Sequence, residues 1–242
     1  MTTPQHNLAV IKVVGIGGGG TNAIKRMIGE GMTGVDFIAL NTDEQDLLDC
    51  DAPTKLDIGQ STTRGLGAGA DPAVGERAAR DNSQDIEDVL TGADMVFVTA
   101  GEGGGTGTGG APIVAGIARG LGALTVAVVT KPFSFEGKRR ADNAEHGIEK
   151  LRDACDTLIT IPNDRLLQQE DKTISINEAF SKADEVLFNG VQGITDLIST
   201  PGLINVDFAD VKSVLADSGA ALMGIGRASG NDRASKATDA AI

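Results

Sequence analysis

Seven of the ten residues in 101–110 are glycine, and the run lies between two apolar segments of different habit. Before it, Met95-Val96-Phe97-Val98-Thr99-Ala100 reads as a buried strand. After it, 111–118 reads as a helix with Pro112 near its first turn. A backbone so free of Cβ atoms can take positive φ and turn several N–H groups onto one anion at the positive end of a helix. Thr106 and Thr108 add hydroxyl donors. The run is a candidate phosphate cradle, with Gly101, Gly103, Gly104, Gly105 and Gly107 as its backbone donors. A flexible linker has no reason to sit between two buried elements.

The same order of strand, glycine turn and helix occurs earlier. A β-branched strand over 8–14 is followed by Gly15, Gly17 and Gly20 in G-x-G-x-x-G spacing, with Gly18, Gly19, Thr21 and Asn22 completing the turn before a helix over 23–30. The next strand, 36–41, ends in Asn41-Thr42-Asp43. An acidic residue about twenty positions beyond the glycines is what a nicotinamide cofactor wants at its ribose, so an NAD-dependent oxidoreductase is a real rival here. The loop 62–69 is also glycine-rich; it is either a plain surface connection or, through Arg64, a sensor of a third phosphate. A helix over 72–90 follows it. Strands over 124–129 and 157–161 end at Thr130-Lys131-Pro132-Phe133 and Pro162-Asn163-Asp164, with a helix from 136–140 to about 154 between them. This alternation predicts an α/β fold with a doubly wound, mainly parallel sheet, whose ligand lies at the carboxyl ends of the strands. Two glycine turns suit a triphosphate better than a dinucleotide.

Ser175-Ile176-Asn177-Glu178 is a capping box that opens a long central helix to Ser199, with one apolar stripe along it. Phe180 and Asp184 are four apart and share a face. Phe180 either joins the core or stacks a base; Asp184 either faces solvent or accepts from N1–H and the amino group of guanine. Beyond Thr200-Pro201-Gly202, Asp207 and Asp210 stand three apart at a helix start. They either complement the helix dipole or orient water and a cation for phosphate hydrolysis. A single strand is expected over 220–225, followed by a polar, alanine-rich end.

Composition narrows the function classes. A net charge of −13 argues against nucleic acid or anionic membrane as the main partner, and the absence of Trp and Tyr argues against base-stacking platforms for single strands. Cys50 and Cys155 form neither a disulfide framework nor a metal-ligand pattern, and no apolar run reaches membrane-spanning length, so a cytoplasmic protein without direct membrane insertion is expected.

Residues 17–22, the run Gly103-Gly104-Gly105-Thr106-Gly107-Thr108-Gly109 and Asn205-Val206-Asp207-Phe208-Ala209-Asp210-Val211 together resemble the tubulin/FtsZ family, on its bacterial cell-division branch. The segments 64–69 and 132–140 fit as well, and their wording is similar to actinobacterial members. The likeness runs from Leu8 to about Gly226. It implies a GTPase that binds GTP or GDP with Mg2+, the ion held mainly by phosphates and water with no protein ligands assigned. It implies a head-to-tail homopolymer forming the division ring at midcell, with other ring proteins as partners. It implies that residues 18–22 and 101–108 hold the phosphates, with Ala68, Gly69 and Ala70 near the γ-phosphate, and that Thr130 and Pro132 also belong to the GTP site. Glu136 and Arg140 lie by the ribose and phosphates, Asn163 and Asp184 read guanine, and Phe180 stacks on it. Asn205, Asp207 and Asp210 act in trans, in the next subunit's pocket. Family members continue further, so the resemblance implies a fragment: a GTP-binding domain over 8–174, a central helix over 175–199, and over 200–242 the acidic loop with the incomplete start of a C-terminal subdomain. A nucleotide-dependent assembly module without turnover is the second reading.

Overall fold

The computed structural model describes residues 9–168, 174–199, 207–224 and 226–241. The chain begins with β1 (Ile11–Ile16), α1 (Gly17–Gly29), β2 (Asp36–Asn41), α2 (Glu44–Leu48) and β3 (Thr54–Asp57). Helices α3 (Pro72–Asp81) and α4 (Ser83–Leu90) lead into β4 (Met95–Gly101), α5 (Thr106–Gly120) and β5 (Leu124–Lys131). A 3-10 turn (Ser134–Glu136) precedes α6 (Lys138–Ala154), β6 (Thr157–Pro162) and α7 (Asn163–Gln168). The long α8 (Ile176–Ser199), then α9 (Phe208–Leu215), β7 (Gly219–Ala221) and α10 (Arg233–Ala241) follow.

The strands form one sheet in the order β3-β2-β1-β4-β5-β6-β7, and every pairing is parallel. Alternate residues of the central strands feed two apolar layers, because side chains alternate faces along a strand. Val14, Ile16, Val96, Val98 and Ala100 meet Ala78, Ala79, Ile86, Val114, Ala115 and Leu151 from α3, α4, α5 and α6. Val13, Met95, Phe97 and Val126 meet Ile24, Met27, Leu187 and Val191 from α1 and α8. Phe97 is fully buried at the sheet centre, where it contributes about 2–3 kcal/mol by leaving water. The doubly wound expectation holds, and the central helix has the bounds that its capping box and stripe predict, its Glu178 carboxylate accepting the Ser175 N–H at 2.7 Å.

Several boundaries differ from the sequence reading. The helix expected over 72–90 breaks at Asn82, whose side chain donates to the Ala78 and Ile58 carbonyls and so takes up groups a continuous helix would leave elsewhere. The glycine run is not all loop: α5 begins at Thr106, placing Pro112 inside the helix. The reason is packing. A Cβ at Gly109 would lie 2.0 Å from the Pro72 carbonyl oxygen, and one at Gly75 would lie 2.3 Å from that of Gly105, so these glycines let α3 and α5 touch backbone to backbone. The strand expected over 220–225 is shorter, and it joins the main sheet through β6. Beyond it, Arg233–Ala241 forms a helix that the sequence reading did not expect, as were β3, α2 and α7.

Candidate functional site

The strand order reverses direction between β1 and β4, and a cavity of about 450 Å³ opens there at the strands' carboxyl ends. Two helices begin on its floor. Neither α1 nor α5 has a side-chain cap, whereas α2 and α3 are capped by Asp43 and Asp71. The first turns of α1 and α5 therefore keep orphan N–H donors at the positive ends of their dipoles. They converge: a Cβ on Gly19 would lie 2.9 Å from Gly101 N, and one on Gly17 the same distance from Gly107 N. Gly17 also needs its positive φ of 68° to leave the strand for the helix. Gly18, Gly19, Asn22, Gly101, Gly104, Gly105, Thr106 and Gly107 line this end, and Ala68 and Ala70 close it from the third loop. Two uncapped helices aimed at one glycine-lined floor make an anion site.

Other predicted phosphate residues lie off the lining, all of them buried behind it except the exposed Gly69. Gly20 packs on the Thr99 carbonyl, 2.5 Å from where its Cβ would be, as close packing of helix on strand requires. Thr21 is buried, its hydroxyl donating to the Gly18 carbonyl. The Gly103 N–H donates to the Thr108 hydroxyl at 2.8 Å, so this pair stitches the loop to α5. Gly69, at a φ of 61°, turns the third loop. These residues shape the cradle and do not line it.

The far end of the cavity is polar and aromatic. Thr130 lies near the end of β5 and Pro132 just beyond it, and Glu136 bonds Arg140 at 2.5 Å while its other oxygen accepts the Phe133 N–H. Asn163 is buried at the start of α7, and its side-chain oxygen has no partner among the described residues. Phe180 is 40% exposed at the rim, so the core reading of this ring does not hold. Beside it Asp184 is held up to about 6, because burial disfavours its charge more than nearby Arg26 restores it. Asp207 and Asp210 are exposed and do not line this cavity; Asn205 lies outside the described residues.

The sequence reading missed Asp46, Glu102, Ala183 and Leu187 as wall residues. Ala183 and Leu187 carried a signal, since they repeat at helical spacing on the face of Phe180 and Asp184. Asp46 accepts from Asn41 at 3.2 Å and stands beside Gly18. Asp43, the ribose candidate of the NAD reading, instead caps α2 by accepting from Gln45 and Asp46 N–H groups. Glu102 is buried, and burial pushes its pKa up to about 8, against the weaker pull of the nearby Thr108 hydroxyl. Among the described residues no cluster of three or more His, Cys, Asp or Glu could hold a metal ion.

A parallel sheet with two uncapped helix N-termini at its switch point and a polar, aromatic far end has the form of the tubulin-like GTPase class. The family model for the Tubulin/FtsZ family, GTPase domain, matches residues 10–171. The empty FtsZ dimer of M. jannaschii is 49% identical with a TM-score of 0.94, over 98% of this chain and 69% of that one. The FtsZ W319Y mutant of M. jannaschii gives the same identity and TM-score, over 98% of this chain and 71% of that one. CetZ2 of Haloferax volcanii, as a GTPgS-bound protofilament, is 24% identical with a TM-score of 0.77, over 90% of this chain and 66% of that one, a likeness of fold. The chain belongs to the Tubulin/FtsZ family. It is a tubulin-like GTPase of the cytoskeletal kind, and GTP and GDP binding come with that membership. No described helix is long and apolar enough to cross a membrane.

Proposed function

We propose that the chain binds GTP with its phosphates on the α1 and α5 termini and its guanine between Asn163, Asp184 and Phe180, and hydrolyses it within a head-to-tail polymer that forms a division ring. The observation that carries the reading is the convergence of two uncapped helix N-termini on one glycine floor, with a buried amide at the other end whose oxygen has no partner among the described residues. Guanine presents donors at N1 and the amino group and an acceptor at O6. Ionised Asp184 accepts, and the Asn163 amide both donates and accepts. Glu136 and Arg140 lie between base and phosphates, where the ribose would be.

A divalent cation, when bound, would offset charge on the transferring phosphoryl group. On this reading the phosphates and water would hold the ion. The wall acids nearest the cradle are engaged elsewhere: Asp43 caps α2, Asp46 accepts from Asn41, and burial holds Glu102 protonated. Asp207 and Asp210 point to solvent, which suits action on a neighbour's nucleotide; a contact of that kind does not close and builds a filament. Phosphoryl transfer needs mainly positioning and charge stabilisation, so two acids brought by the next subunit suffice. The proposed division of labour is a GTP-binding unit over 8–174, the central helix over 175–199, and an acidic segment within 200–242.

Calorimetry with GTP and with NADH, each with magnesium, tests the binding reading. Heat with GTP and none with NADH is expected; the reverse would restore the oxidoreductase. GTP-dependent light scattering tests assembly, and binding without scattering or phosphate release would favour the module without turnover.

A further inference from the structure

We propose that Phe135 is a positioning residue for the base, fixing the ring of Phe180 without itself touching the nucleotide. This rests on the reading of Phe180 as the guanine-stacking side chain. Phe133, Phe135 and Phe180 form a closed three-ring cluster. Phe133 and Phe135 stack at 4.9 Å with planes 11° apart. Phe180 meets Phe133 edge to face at 5.5 Å and Phe135 at 6.2 Å. Of the three rings, Phe180 alone lines the cavity.

Phe133 is buried and serves as the base of the cluster, but Phe135 is 51% exposed. A ring half in water adds modestly to the core, so its worth lies in what it holds. Phe180 has no hydrogen-bonding atom, so packing alone sets its rotamer. Phe135 supplies one of the two ring contacts that do so. The turn that carries Phe135 is itself anchored to the site. Glu136 accepts from the Phe133 N–H at 2.9 Å and pairs with Arg140. The Ser134 N–H donates to Asp164 at 2.9 Å, next to Asn163. One short turn thus ties the ribose-side pair, the guanine amide and the stacking ring into a single register. Without the Phe135 ring, Phe180 gains rotamers that do not stack, and the base pays for reordering it on binding.

The test uses Phe135→Leu and Phe135→Tyr in the whole chain, with Phe180→Leu as a reference. Phe135→Leu is expected to weaken GTP binding roughly three- to tenfold, the range of one aromatic contact. Its melting temperature should stay near that of the parent, and Phe135→Tyr should restore affinity. Unchanged affinity in Phe135→Leu, a loss that tracks a matching fall in melting temperature, or failure of Tyr to rescue would overturn the proposal. If Phe180→Leu weakens binding and Phe135→Leu does not, the positioning role alone falls. If neither variant alters GTP affinity, or the parent binds no GTP, the base reading falls with it.

Discussion

Asp207 Oδ1 accepts the backbone N–H of Asp210 at 2.9 Å. The first acid of the pair therefore caps α9, while the carboxylate of the second is left exposed at the same helix end. The two aspartates, equivalent in sequence, are thus held differently.

Asp210→Asn should retain GTP affinity and lose turnover, since its carboxylate is not needed for the cap or for this chain's own cavity. Phosphate release and calorimetry on the variant check this. Asp207→Ala should in addition lose about 1 kcal/mol of stability, because an N-cap is removed, and Asp207→Asn should keep that stability. Loss of GTP binding in Asp210→Asn would contradict the division between binding and hydrolysis.

Gly104 and Gly109 are expected to respond in opposite ways. A Cβ on Gly104 meets nothing within 4 Å and Gly104 lines the cavity, so Gly104→Ala should leave thermal stability unchanged and weaken nucleotide binding. A Cβ on Gly109 would lie 2.0 Å from the Pro72 carbonyl oxygen. Gly109→Ala should cost about 3 kcal/mol by forcing α3 and α5 apart. Melting curves with and without GTP separate the two effects.

If Asp184 reads guanine as proposed, binding should be pH-dependent. Burial raises its pKa to about 6, and only an ionised carboxylate accepts from N1–H without first losing a proton. GTP affinity should fall as pH drops from 7.5 through 6 toward 5, because the carboxyl takes up a proton that binding must remove. Asp184→Asn should bind weakly and flatten the profile. Titration calorimetry across that range decides it.

Glu102 should make the fold less stable as pH rises. Its pKa of about 8 exceeds the ordinary 4.5 of an unfolded chain, so the folded state holds a proton that the unfolded state has released. The stability this contributes is fully present below about pH 4.5 and is lost as pH climbs through 8, on the order of 1 kcal/mol per unit. Glu102→Gln should melt with the parent near pH 4.5 and above it at pH 8.5. Thermal melts over that range are the check. A Cβ at Gly147 would lie 2.5 Å from the Glu102 carboxylate, so Gly147→Ala should be destabilising at every pH.

Strand and helix alternation, the two glycine turns and the capping box of α8 were legible because each is a local statement. An apolar run between glycines has few ways to fold, and Ser175 reaches Glu178 within one turn. Pairwise spacing on α8 was also enough to set Phe180 and Asp184 on one face. What sequence could not reveal was where the local pieces meet. Whether Phe180 is core or rim depends on α8 packing against α1 and β5, a contact distant in the chain. Whether the glycines of 105–110 face the cavity or admit a neighbouring helix depends on α3 lying against α5, and the structure divides the run: Gly105 and Gly107 line the cavity, and Gly109 faces α3. Asp46 and Glu102 carry no local signature, because their significance comes from a cavity beside one and from burial of the other. Local sequence determined which backbones could form; the tertiary packing decided which donors, rings and carboxyls remain free to act, because desolvation and steric contact are properties of neighbours that the chain brings together only on folding.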